Sequence, residues 1–116
     1  MINPTGGKIR SDPGYEHRGL DLECTPGQVV LSPISGWFVR IALPYGKASP
    51  FEGIEIHGPE GKIKMFHFQP DIELLGAYLE EGQPIGMAQD ISEKHTSCGP
   101  HVHLQIIEYD PELILF

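Results

Sequence analysis

Ile54-Glu55-Ile56-His57, then Gly58-Pro59-Glu60-Gly61, then Lys62-Ile63-Lys64-Met65-Phe66-His67-Phe68: two runs of alternating apolar and polar residues, joined by a stretch of turn formers. Alternation with period 2 sends successive side chains to opposite faces of a strand, and a Gly/Pro-rich link between two such runs marks a β-hairpin. On that pattern Ile63, Met65 and His67 share one face. The hairpin sets the class as mainly β, an antiparallel sheet domain.

Working outward, residues 101–108 alternate as cleanly. Val102, Leu104 and Ile106 point toward a core, and His101, His103 and Gln105 point the other way. Side chains two apart on one strand face are about 6.6 Å apart. One histidine can therefore hold a metal ion while the other reaches a water or substrate atom beside it. Upstream, Val29-Val30-Leu31 and Trp37-Phe38-Val39 flank Ser32-Pro33-Ile34-Ser35-Gly36, as a hairpin or a sheet corner. Residues 69–78 suggest a turn and a short strand, and Glu80-Glu81-Gly82-Gln83-Pro84 turns into the strand Ile85-Gly86-Met87-Ala88. Residues 43–53 and 89–100 carry too many breakers for regular structure and are expected to wall a groove.

At 116 residues the chain is expected to be a single domain, 1–116, and its 14 Gly and 11 Pro are spread as the turns of an all-β protein require. A formal charge of -8, from 16 acidic against 8 basic residues, excludes the usual electrostatics of nucleic-acid binding. No apolar run approaches the roughly 20 residues of a membrane span, so no membrane insertion is expected. Met1-Ile2-Asn3-Pro4 begins neither a signal peptide nor a lipidation motif. Cys24 and Cys98 lie three residues after Asp21 and three before His101, where a disulfide and two independent thiols are both open readings.

His17 and Asp21, in His17-Arg18-Gly19-Leu20-Asp21, are harder to join. Four residues of straight strand span about 13 Å, too far for one ion. A helix would close the gap, but Pro13, Gly14, Gly19 and Thr25-Pro26-Gly27 stand against it, and the alternative is a turn at His17 with Gly19 bending the backbone.

These segments together resemble the lysostaphin/LytM-type zinc endopeptidase domains, which cleave peptide bonds in bacterial peptidoglycan. The first motif of that family, His-x-Gly-hydrophobic-Asp, is matched by residues 17–21, and its His-x-His by His101-Val102-His103. Between them, Gly27-Gln28-Val29-Val30-Leu31-Ser32-Pro33-Ile34-Ser35-Gly36, then Phe66-His67, then Gly82-Gln83-Pro84-Ile85-Gly86 follow the family order over roughly residues 6–112. The resemblance implies a zinc-floored groove over one sheet, with Zn2+ held by His17, Asp21 and His103 and a fourth position open to water. His101 and His67 would be catalytic, one taking a proton and the other donating a hydrogen bond or passing the proton to the leaving amine. Which does which is left open, and Tyr15 is a further candidate donor. The partners implied are peptidoglycan peptides, at an extracellular or periplasmic site of action.

Lys64-Met65-Phe66-His67-Phe68-Gln69-Pro70 and Asp110-Pro111 are also similar to the leukocyte cell-derived chemotaxins, zinc-binding proteins of the same fold that are not thought to be peptidases. In that group an aromatic residue without an imidazole stands where this chain has His67, which favours an enzyme here. Phe68-Gln69-Pro70 departs from the Leu-Ser usual in the peptidases and alters the groove nearby. A silent regulator of another wall hydrolase is a further rival. Taken singly, His57 is expected to be structural, His95 solvated, Trp37, Phe38 and Phe66 core, and the Glu80-Glu81 and Glu108/Asp110 pairs solvated. Asn3 is a minor candidate to cap the metal's open position.

Overall fold

A computed structural model describes residues 1–10, 19–94 and 99–109. The opening hairpin forms with Ile54 opposite Met65, Glu55 opposite Lys64 and Ile56 opposite Ile63, between β5 (Gly53–His57) and β6 (Gly61–Phe66). Ile54, Ile56, Ile63 and Met65 are fully buried, so the apolar face of the alternation is the core face. The remaining strands are β1 (Ile9–Arg10), β2 (Gly19–Glu23), β3 (Val29–Leu31), β4 (Gly36–Ala42), β7 (Phe68–Pro70), β8 (Tyr78–Leu79), β9 (Pro84–Ala88) and β10 (His101–Tyr109).

They form two sheets, one of seven strands in the order β1-β2-β10-β6-β5-β4-β8 and one of three in the order β3-β9-β7. Every pairing is antiparallel. Leu22, Ile63, Met65, Val102 and Leu104 of the large sheet meet Val30, Phe68 and Ile85 of the small one, with Ile34 and Phe38 completing the core. Burying each such side chain contributes about 1.5–3 kcal/mol. The opposite face of the large sheet carries the row Asp21, His103 and Phe66.

Two expectations are corrected, and one open choice is settled. The strand over 62–68 is two strands in two sheets. β6 ends at Phe66, His67 takes φ 74, and Phe68 opens β7 opposite Ala88 of the small sheet. The carbonyl of Glu52 accepts from the amides of His67 (2.8 Å) and Phe68 (3.3 Å), so the corner leaves neither donor orphaned. Residues 29–39 make the sheet corner and not the hairpin, with buried Ser32 donating its hydroxyl to the Ile34 carbonyl at 2.7 Å. Trp37 is not core: it is 54% exposed and meets Tyr78 edge-on at 5.2 Å, because alternation on β4 sends its buried neighbours Gly36 and Phe38 to the other face. Among the described residues no helix is long and apolar enough to cross a membrane.

Candidate active site

The site is built from cross-strand register. β2 and β10 pair so that His103 lies directly opposite Asp21, on the face away from the core. His103 Nδ1 is 2.8 Å from Asp21 Oδ1, and His101 Nε2 is 3.8 Å from the same oxygen. Phe66, opposite His103 on the other neighbouring strand, lies parallel to the His103 ring at 5.9 Å and steadies its plane. Phe66 is thus half-buried beside the site, where its residue type alone had suggested the core.

His67 arrives by a different route. Met65 pairs with Leu104, so an unbroken strand would carry His67 opposite Val102, into the core with Ile63 and Met65. The positive φ at residue 67 changes that phase and sets its ring edge-on to His101, with centroids 5.0 Å apart. A bend that re-aims one side chain is a common use of such irregularities. The shared face with Ile63 and Met65 is therefore also corrected.

His101 Nδ1 is 3.0 Å from the carbonyl oxygen of Gly99. A carbonyl only accepts, so in the neutral ring Nδ1 carries the proton and Nε2 turns a lone pair toward the Asp21 side. Burial holds the conjugate acid of His67 far below the ordinary histidine range, at about 3; the neighbouring His101 adds to this and the hydrogen bond to its carbonyl opposes it. His67 and His101 are buried, and His103 is partly so. Cys24, just past Asp21, has a free thiol pushed up to about 11 by burial and, less, by Asp90, with Arg10 opposing.

Asp21 and His103 suit a divalent cation. Two ligand atoms on one tetrahedral ion, with bonds of about 2.0–2.1 Å, stand roughly 3.3 Å apart; the 2.8 Å found here is a hydrogen-bond distance, and the two side chains would part by about 0.5 Å to admit an ion. Among the described residues no group of three or more His, Cys, Asp or Glu side chains is arranged to hold a metal ion. His17 lies outside the described residues, as do Tyr15, His95 and Cys98. Asn3 is engaged in its own turn, donating to the Gly7 carbonyl at 2.9 Å and accepting from the amides of Thr5 and Gly6. It does not serve the site. His57 pairs with Glu55, whose carboxyl burial pushes up but His57 and Arg40 together hold below its usual range.

The loop at 43–52 leans over His67. Tyr45 Oη lies 3.1 Å from His67 Nε2, and Phe51 meets the same ring edge-on at 6.3 Å. The second loop is tied to the first: Gln89 accepts from the Glu52 amide at 3.0 Å and donates to the Pro50 carbonyl at 2.8 Å. Between them Tyr45, Ser49, Phe51, Glu93 and Lys94 help line an open recess of about 520 Å³. Sequence reading had this loop as a wall without singling out Tyr45, whose partner lies 22 positions away.

No family model matches the chain. The fold is that of the lysostaphin catalytic domain. The crystal structure of that domain, from the antimicrobial peptidase of Staphylococcus simulans, aligns with TM-score 0.58 at 21% identity, over 94% of this chain and 80% of that one. The solution structure of lysostaphin aligns with TM-score 0.59 at 20% identity, over 95% of this chain and 44% of that one. By sequence the chain is 28% identical over 101 residues to leukocyte cell-derived chemotaxin-2 of Bos taurus, covering 85% of this chain and 66% of that protein. It is 25% identical over 103 residues to an uncharacterized metalloprotease of Haemophilus influenzae, covering 89% of this chain and 20% of that protein. The chain thus spans less than two thirds of the chemotaxin, and a fifth of the metalloprotease. The resemblance carried by the motifs at 17–21 and 101–103 agrees with both kinds of comparison.

Proposed function

We propose that the chain is a zinc-dependent endopeptidase acting on peptide bonds of bacterial peptidoglycan. The observation that carries this reading is the meeting of Asp21 and His103 at 2.8 Å with two further imidazoles, His101 and His67, gathered beside them. His17, Asp21 and His103 hold the ion, and Phe66 and the β2–β10 register orient the holders. When bound, the ion supplies a Lewis acid for the scissile carbonyl and lowers the pKa of an attacking water. His101, its Nδ1 proton committed to Gly99, offers Nε2 to take the proton of that water and later return it to the leaving amine. His67, packed edge-on against His101, is the second catalytic imidazole.

The second reading is a zinc-binding recognition module, favoured by the 28% identity to the chemotaxin. The two are separated by turnover. Purified protein incubated with sacculi of different cross-bridge types should release peptide amines, and a zinc chelator should stop the release. His101→Ala should lower turnover by a factor on the order of 10² or more while the protein still binds one zinc per chain, since it removes a proton acceptor and no ligand. No chelator-sensitive release from any wall, with zinc bound, leaves the recognition module. Loss of zinc from the His101→Ala protein would mean that His101 is itself a ligand.

A further inference from the structure

The His67 imidazole is held at both nitrogens. Nδ1 lies 3.3 Å from the backbone carbonyl oxygen of His101, and Nε2 lies 3.1 Å from the hydroxyl of Tyr45. Because the carbonyl can only accept, the neutral ring keeps its proton on Nδ1 and donates it there. Nε2 is then a lone pair, and the phenolic O–H donates to it. The two rings lie within 2° of parallel with their centroids 5.8 Å apart, so the contact that joins them is the one between the phenol oxygen and Nε2.

The phenol is itself held in place. Phe51 packs edge-on against it at 6.1 Å, and the Lys94 ammonium sits 4.6 Å from its ring centre. Tyr45 is flanked by Pro44 and Gly46, so its seat in an irregular loop comes from these contacts and not from a strand.

We infer that Tyr45 is a positioning residue: it fixes His67 in the Nδ1–H tautomer and makes Nε2 a hydrogen-bond acceptor. His67 then enters the reaction as a proton acceptor and does not donate from Nε2 until it has first taken a proton. This resolves the choice that the motifs left open between a donating and an accepting His67. The tautomer assignment stands on geometry alone, and only its catalytic consequence rests on the peptidase reading.

Nitrogen NMR of the protein labelled with ¹⁵N-histidine, both metal-free and zinc-loaded, reads the tautomer without any turnover. Wild type is expected to show a pyrrole-type Nδ1 and a hydrogen-bonded, pyridine-type Nε2 at His67. Tyr45→Phe should move the Nε2 signal, downfield where the Nδ1–H form persists without its hydrogen bond and upfield toward pyrrole-type values where the Nε2–H form is admitted. Phe51→Leu loosens the same packing without removing a donor and should leave the Nε2 signal in place. With soluble wall peptides, Tyr45→Phe should lower kcat about tenfold with KM unchanged, the loss expected for one hydrogen bond made to a reacting group. A wild-type ring with its proton on Nε2, a Tyr45→Phe spectrum identical to wild type, or an equal shift in Phe51→Leu would each overturn the inference. Expected spectra without digestion of any wall would uphold the tautomer and reject the peptidase.

Discussion

At residue scale, His67 places a cost on acidity. Its ring is 5% exposed, and its folded pKa is lowered from 6.5 to about 3. Between those values the unfolded chain binds a proton that the folded protein does not, so stability rises with pH through this window and is lost as pH falls below about 6.5. Glu55 also has a depressed pKa, but its ordinary value is 4.5, so its contribution is lost only at lower pH. The interval from 6.5 to 4.5 therefore isolates the histidine among these two groups. For metal-free protein we expect denaturant-derived stability to fall across it with a slope approaching 1.4 kcal/mol per pH unit, as an order-of-magnitude limit for one proton. His67→Gln should flatten the slope. An unchanged slope in that variant would show that another group controls the acid limit.

At element scale, the corner between β6 and β7 decides which residues reach the site. Left-handed backbone costs most residues roughly 1–2 kcal/mol and β-branched residues more, whereas asparagine adopts it readily. His67→Asn should thus keep the corner, and His67→Val should unfold at lower denaturant, by about 1–3 kcal/mol beyond the Asn variant. Equal stabilities would mean that the loop relieves the strain when the ring is gone. The alternating strands were legible in the sequence because each has one buried and one bare face: Val102 and Leu104 against His101 and His103, Ile54 and Ile56 against Glu55. The corner was not. A positive φ on a non-glycine leaves no compositional mark, and its one trace is a change of phase, from buried Ile63 and Met65 to buried Phe68 and Pro70. The motifs paired Asp21 with His103 correctly in space, since they sit on adjacent strands. Tyr45 escaped because a contact between a loop and a corner has no period to read.

At the scale of the whole molecule, the groove lies on a protein with formal charge -8. Against an anionic wall polymer that field opposes encounter, and added salt screens it over a Debye length of about 10 Å at 0.1 M. Digestion of sacculi should accordingly quicken as salt rises from about 10 to about 150 mM; a rate that falls would show that local cationic contacts outweigh the net field. On the proposed reading the large sheet keeps one face for a substrate, and the margins of an open sheet invite other chains to add strands. Its margins are the two-residue strands Ile9–Arg10 and Tyr78–Leu79, and beyond Trp37 the register of β4 shifts between Phe38 and Arg40, which carries a charge outward. Edge strands this short, as far as they are described, offer a neighbouring copy few groups to pair with. Lengthening either of them with alternating apolar residues is the change that would favour edge-to-edge pairing.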